Sequence, residues 1–598
     1  MASVLRRYGL LTIRQFQCSR LLHKNSRVIF NSLHFGTLTD NKALSLTPEQ
    51  EMNNANNVEQ LLSFSDKIDI TGRSAVQILQ MLNKWIISGQ TNLTEFNDDL
   101  RFHTICNVLR RDCQKMTHNS IIFALRNMLE MGLPPESDLV RFYENEMLWK
   151  ARKMNLKTLI TCMIVQRRYQ ETDLQVEVLN KVVQVIHKRW FEIADASDVI
   201  RLLQNSDLLD EEFVDRVEDK LLELLRDMTL VELHKILVCF SQLNRRPTPI
   251  LKAISYHVNQ KNDKLDAKQL VNTLFALNVL SFPDSILLQK IENDLLVEIP
   301  NINKPQMMLT LLISIGQLSW RNKNLIEACS DWMLKNLNLC RPQELAAYVI
   351  TLAKVNYIPA EKKKIFDLIL PRLSEKTVEV KRVWLDVVWS LAILKEVSSE
   401  HLASVLKPSF YQTEIGNDSY QNNIFRLKLL NVRSVAVIEH PLDPKLITIE
   451  KPVFKFTQIK KSEERQVSNL VVHALSDFIP IGKYMVVNQD SLMGITIDAE
   501  FIVDKNGKPQ PIEIYGTRSG LSNVCKPLPN NLHRIAVVVW DFKDLTLDGQ
   551  LTGINSLYVR LLKKIGYSVV EVPYTEFNNK LNPVKKVQYL QDKIAQAI

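Results

Sequence analysis

The side chains of this chain whose types and spacing could do chemistry are basic pairs set against aromatics. Arg167-Arg168-Tyr169 and Lys188-Arg189-Trp190 each place two cations beside a ring, a combination able to neutralise phosphates and stack on unpaired bases. The same triplets also describe a solvated helix end followed by one core aromatic, so the helices that carry them decide between the two.

Most other chemistries have no place to start. No two glycines stand as G-x-G, and neither Gly482-Lys483 nor Gly507-Lys508 completes a phosphate loop, so neither a dinucleotide turn nor a kinase glycine loop can be written. The eight cysteines form no C-x-x-C and the eleven histidines no H-E-x-x-H, which argues against a disulfide framework or a zinc site and for reduced, mostly buried thiols. The nearly apolar run Met307 to Trp320 falls short of the ~18 residues of a membrane span.

The net charge of +9 is unevenly spread. Residues 41–415 hold 46 Lys/Arg against 47 Asp/Glu, so the long middle is neutral, while residues 1–40 hold six basic side chains and one acidic. Arg6, Arg7, Arg14, Arg20, Lys24 and Arg27 lie among leucines, serines and aromatics, with no acid before Asp40. That composition is a mitochondrial presequence, and it implies the matrix. A secretory signal fits poorly because Arg14 cuts the apolar run Tyr8 to Ile13 short. Residues 41–60, rich in Asn, Gln, Thr and Ser, read as a linker, and residues 41–115 as linker and N-terminal helices.

The elements that position these groups are helical through the middle of the chain. Only Gly316 falls among the 283 residues between Gly132 and Gly416, and so few glycines imply few turns with φ > 0. Three segments there align without gaps: LVCFSQLNRRP ending at Pro247, TLFALNVLSFP ending at Pro283 and VITLAKVNYIP ending at Pro359. Looser copies end at Pro135, Tyr169, Leu209, Asn322 and Ser398, giving intervals of 34, 40, 38, 36, 39, 37 and 39 residues. Two-helix units of about 37 residues that stack on their neighbours to bury an apolar stripe form a solenoid, here expected over residues 116–410. Its concave face suits an extended partner, RNA or protein.

After about Phe410 prolines, glycines and β-branched residues return. In GITIDAEFIVDKNGKPQPIEI the residues Ile495, Ile497, Ala499, Phe501 and Val503 share one face, and Asn506-Gly507 makes a hairpin turn into a second strand. RIAVVVWDF reads as a strand, Thr552 to Lys564 as a helix stopped by Gly566, YSVVEVP as a strand ended by Pro573, and Val584 to Ala597 as a final helix.

The closing stretch GINSLYVRLLKKIGYSVVEVPYTEFNNKLNPVKKVQYLQDKI resembles a RAP domain, with Gly553, Leu557, Arg560, Leu562, Gly566, Tyr567, Pro573, Tyr574 and Leu590 as the best-matching positions. WSLAILK and IKKSEERQVSNLVVHALSD…GITIDAEFIVDKNGKPQPI resemble the two preceding modules of the FAST kinase domain-containing proteins. On this resemblance residues 380–447 and 455–534 are the two FAST-type modules and residues 535–595 the RAP domain. The fold class is then mostly α, a helical-repeat solenoid followed by a C-terminal α/β RAP domain resembling a PD-(D/E)xK nuclease fold.

The resemblance implies a mitochondrial RNA-binding factor acting on stability, processing or translation of organellar transcripts, alongside other RNA-processing proteins in RNA granules, with no DNA as partner. It does not imply a kinase, since no H-R-D or D-F-G occurs. Phosphate contacts would come from Arg560, Lys563, Lys564, Lys585 and Lys586, which alternatively form an ordinary solvated face.

The nuclease-like fold also implies a rival: an Mg²⁺-dependent endoribonuclease drawing on Asp498, Glu500, Glu513, Asp541 and Lys543, with Asp498 and Asp541 holding the metal. Two departures from the family pattern weigh against it. Asp541 is followed by Phe542, Lys543 and Asp544 without the usual glycine and histidine, and the usual lysine two residues before Arg560 is Tyr558. Outside RNA-binding altogether stands a third option, a protein scaffold whose neutral solenoid recruits processing enzymes.

Overall fold

The structure, a computed structural model, describes residues 55, 57–67, 70–378, 380–412, 420–440, 466–491, 493–515, 528–577 and 582–598. The presequence, most of the linker and the IKKSEER stretch lie outside these residues. The described residues form two compact units, one ending at Asp263 and the other beginning at Lys264.

The first unit is helical. After Val58–Lys67 come five helix pairs: Gly72–Ile87 with Leu100–Asp112, His118–Glu130 with Asp138–Lys150, Leu156–Gln166 with Asp173–Lys188, Ala196–Gln204 with Glu211–Leu224, and Leu230–Leu243 with Thr248–Gln260. Helix starts follow from local chemistry. Thr172 and Gln175, and Thr229 and Glu232, form reciprocal capping boxes, and Asp210 caps its helix through the Phe213 amide; each satisfies amides that have no partner within the helix. First helices pack on first helices, and most second helices on second, so each pair buries its stripe only with neighbours present. Polar bridges fix the stacking, as where the buried Gln175 amide donates to Glu144 at 2.8 Å.

The second unit opens with four more pairs: Ala267–Val279 with Ser285–Glu298, Pro305–Gln317 with Lys323–Lys335, Pro342–Lys354 with Lys362–Ile369, and Lys381–Leu394 with Ser399–Leu406. The long helix Tyr420–Glu439 packs on the last of them. Pro305 and Pro342 sit in the first helical turn, where a missing N–H costs nothing. Gly316 explains its own isolation. A Cβ there would lie 3.3 Å from Thr351 Oγ1, whose hydroxyl donates to the Leu312 carbonyl at 2.9 Å and clamps two successive first helices together.

Turns with φ > 0 are few between Gly132 and Gly416, as expected, but none of them uses glycine. First helices end on left-handed residues at Asn244, Ser281, Ser319, Asn356 and Lys395, with φ between 49° and 62°. Each is followed by an amide reaching back five residues, as from Phe282 to Leu277 and from Trp320 to Ile315. This is the Schellman turn, normally given to glycine; here Asn, Ser and Lys bear a strain of roughly 1–2 kcal/mol per residue.

Beyond the repeats lies one mixed sheet: β1 (Met485–Asp490), β2 (Thr496–Asp504), β3 (Pro509–Gln510), β4 (Leu532–Trp540) and β5 (Ser568–Pro573). The order is β1-β2-β4-β5, with β3 also on β2; β2 and β4 are antiparallel and β4 and β5 parallel. The residues expected to form the second FAST-type module and the RAP domain therefore share a single sheet. The hairpin after Asn506-Gly507 is shorter than expected: β3 has two residues, and Ile512–Tyr515 is a helical turn, which moves Glu513 off the strand. Ala499, Phe501, Val503, Val537 and Val570 pack under helices Gln466–Ser476 and Pro583–Ala597, while Gly553–Lys564 crosses over between β4 and β5. Seven central residues of β2 are buried without alternation, because both faces of the sheet are covered.

Candidate functional site

The carboxylates that a nuclease would need are in the interior. Asp498 is fully buried, accepting from Ser468 Oγ at 2.6 Å and from the Val539 amide at 2.8 Å. Glu500 is equally buried, paired with Arg534 at 2.7 Å and accepting from the Tyr567 hydroxyl at 3.2 Å. A buried charge is tolerated only with such partners. Asp541 follows β4 and caps the short turn Phe542–Asp544, its amide donating to Asp544 at 3.0 Å, and Lys543 is exposed beside it. The Glu513 side chain lies outside the described residues. Among the described residues no three His, Cys, Asp or Glu side chains group so as to hold a metal. Asp498 is occupied as a structural acceptor, so the set does not fit Mg²⁺.

The five cations named as phosphate contacts separate in the structure. Lys563 and Lys585 are exposed, and Lys586 lies over the Phe577 ring at 5.3 Å. Lys564 pairs with Glu439 at 3.0 Å. Arg560 is turned inward: its guanidinium donates to the carbonyls of Ala392 at 2.6 Å and Ile393 at 2.8 Å and to both oxygens of Glu439. Its planar fork meets the negative end of helix Lys381–Leu394, where carbonyls lack partners within the helix. A guanidinium used in this way positions a domain rather than a phosphate.

Arg560 is one rung of a longer strap. The Leu547 amide donates to the Ser319 carbonyl at 3.0 Å, Asp548 pairs with Arg321 at 2.8 Å, and the Leu551 carbonyl accepts from the Asn356 side chain at 3.3 Å. Residues 547–560 thus cross the C-terminal ends of three consecutive first helices. At Gly553 the approach is close enough that a Cβ would fall 1.8 Å from the Ala353 carbonyl oxygen, so only glycine fits. Deeper in, buried Asn431 donates to the Met493 carbonyl at 2.7 Å and accepts from Trp389 Nε1 at 3.1 Å. Burial there drives the Tyr558 phenol well above its usual range despite a hydrogen bond with Asn431.

Beside this strap Lys354, at the end of its helix, is pushed down to about 8 by burial, with the charge of Lys428 adding to the effect and that of Asp386 opposing it. Lys428 is itself paired with Asp386 at 2.5 Å. Sequence reasoning did not single out Lys354; a lysine closing an otherwise apolar helix was the available signal.

In the first unit the two basic-aromatic triplets are largely committed to structure. Arg167 binds Asn205 at 2.6 Å and Asp207 at 2.9 Å, Arg168 reaches Glu130 at 3.8 Å, and burial pushes the Tyr169 phenol up. Arg189 pairs with Glu192 at 2.6 Å, and Trp190 lies under the Arg216 guanidinium at 6.0 Å. Lys188 remains exposed. The thiols of Cys162, Cys239 and Cys329 are buried and pushed up to about 12 by desolvation, which makes them inert.

Stacked helix pairs whose last members are strapped to a two-faced α/β sheet define a helical-repeat protein with a docked C-terminal domain. Residues 345–413, two of the pairs under the strap, match the family model described as FAST kinase-like protein, subdomain 1; the match begins upstream of residue 380. The chain is 26% identical over 512 residues to the rat FAST kinase domain-containing protein 4, covering 84% of this chain and 80% of that one. It is 25% identical over 545 residues to the human protein of that name, covering 89% and 84%. To the bovine FAST kinase domain-containing protein 3, mitochondrial, it is 18% identical over 518 residues, covering 84% and 76%. The similarity to FAST kinase domain-containing proteins extends over most of the chain.

Proposed function

We propose that this protein is a mitochondrial RNA-binding protein that acts after transcription on organellar messages, on their stability, processing or translation, and so supports respiratory-chain expression. The observation that carries the reading is architectural: similarity to FAST kinase domain-containing proteins runs through both the repeats and the C-terminal sheet. The word mitochondrial in the names of relatives agrees with the basic, acid-poor residues 1–40. Binding without cleavage is favoured because the carboxylates of β2 serve as interior partners of Ser468 and Arg534.

Ultraviolet crosslinking of the full chain in the matrix, followed by sequencing of the attached RNA, tests the proposal. Recovery of a restricted set of mitochondrial transcripts is the expected result. Capture of processing proteins with no crosslinked RNA would instead identify a scaffold.

A further inference from the structure

Four aromatic side chains stand out as strongly exposed among the described residues: Trp149 at 82%, Phe191 at 63%, Tyr256 at 61% and Phe542 at 59%. Three of the four fall at one place in the repeat of the first unit. Trp149 is the penultimate residue of the second helix Asp138–Lys150, Phe191 follows the second helix Asp173–Lys188, and Tyr256 lies in the last turns of the second helix Thr248–Gln260. Asp138–Lys150 packs on Asp173–Lys188 and Glu211–Leu224 on Thr248–Gln260, with axes about 8–10 Å apart as packed helices are, and the His187 and Phe213 rings, stacked at 4.4 Å, join the two couples. Their C-terminal ends consequently line one edge. The intervening pair carries Leu222 there in place of a ring.

Cations accompany the rings along that edge. Arg152 follows Trp149, Lys188 precedes Phe191 and Lys252 precedes Tyr256, all three exposed, while the acid closest to Phe191 in sequence, Glu192, is taken up by Arg189. The second unit supplies the contrast: at the corresponding place its exposed large hydrophobics are Val297, Leu339 and Leu368, which have no π-face. A protein partner would favour one contiguous apolar patch. Rings spaced singly and interleaved with Lys and Arg instead match a strand whose bases stack one by one while its phosphates are neutralised.

We infer that the C-terminal edge of the second helices in residues 138–260 is a stacking edge for single-stranded RNA, with Trp149, Phe191 and Tyr256 each taking an unpaired base. This rests on the RNA-binding reading above and names the surface and strand type it uses.

Fluorescence anisotropy of the purified full chain with a labelled 24-nucleotide oligouridylate, and with an RNA duplex of that length, provides the test. A triple variant, Trp149→Ala, Phe191→Ala and Tyr256→Ala, removes only exposed groups; an unchanged melting temperature confirms its folding. At 1–3 kcal/mol per stacked base, each ring contributes about 5- to 150-fold, and the triple variant is expected to bind the single strand at least about 100-fold more weakly than the wild type. Tyr256→Phe should bind as the wild type does, and the paired change Val297→Ala, Leu339→Ala should have no effect. If the wild type binds and the triple variant stays within about threefold, the edge is refuted and RNA binding stands. A triple leucine variant that binds like the wild type would show that an apolar surface, not stacking, was needed, and also overturns the inference. A wild type that binds neither RNA sinks both readings.

Discussion

The two sets of repeats are built alike and end differently. In the second unit, residues 547–560 cross the ends of successive first helices at Ser319, Asn356 and Ala392-Ile393 and supply donors, an acceptor and a cation. Among the described residues of the first unit, it is the other set of ends, those of the second helices, that presents Trp149, Phe191 and Tyr256 to solvent. One architecture therefore serves in one place as a seat for the chain's own sheet domain and in the other as an open edge. The difference lies in a few side chains at helix ends, since the apolar stripes that stack the pairs are alike in both.

The largest effect on this contrast should come from Gly553→Ala. The added carbon meets the Ala353 backbone, which cannot swing aside, so the strap must lift, at a cost of about 3 kcal/mol. Hydrogen exchange should then lose protection in residues 342–394 and 553–573 while residues 118–260 are unchanged. Uniform loss across the chain would mean that the two sets are not separately held.

Arg560→Ala comes next. It uncaps helix Lys381–Leu394 and leaves the partly buried Glu439 with Lys564 alone, a loss of roughly 2–3 kcal/mol. Arg560→Lys should not restore stability, because an ammonium cannot span two carbonyls and a carboxylate in one plane. Denaturant unfolding of Arg560→Ala, Glu439→Gln and the double variant reads their coupling; additive losses would deny the ion pair its role.

A smaller change of opposite sign is expected at Lys354. Its folded pKa, about 8, lies below the ordinary lysine value, so between the two the unfolded chain binds more protons, and this group's contribution to stability rises with pH. Lys354→Met should accordingly melt a few degrees higher than the wild type at pH 7, with the gap closing as pH approaches 10. A gap independent of pH would assign the gain to packing.

Smallest of all is Ser281→Gly, at a left-handed corner. Relief of the strained φ outweighs the added freedom of the unfolded chain by less than about 1 kcal/mol. A drop in melting temperature would show that the serine side chain supports its corner.

The helix pairs were legible in the sequence because each is written locally. Pro247, Asn322 and Ser398 mark starts through caps and fixed φ, and the apolar stripe repeats with every turn. The strands β2, β4 and β5 were legible for the same reason. The left-handed corners were not, since Ser and Lys carry no signal for φ > 0 when glycine is absent. Arg560 shows the limit most clearly: in sequence it is a basic residue on an amphipathic helix, and only the approach of Ala392 and Glu439, well over a hundred residues away, makes it a cap.

What the sequence by itself determined was the helical-repeat architecture, the late change to an α/β sheet and the resemblance to FAST kinase domain-containing proteins, all properties of short-range pattern. Only the tertiary structure decided which polar groups are spent on holding the fold and which remain available. It buried Asp498 and Glu500 between two covered faces, turned Arg560 inward, and left Trp149, Phe191 and Tyr256 on one edge. Periodicity reports which face of an element is apolar; it does not report what arrives to cover the other face.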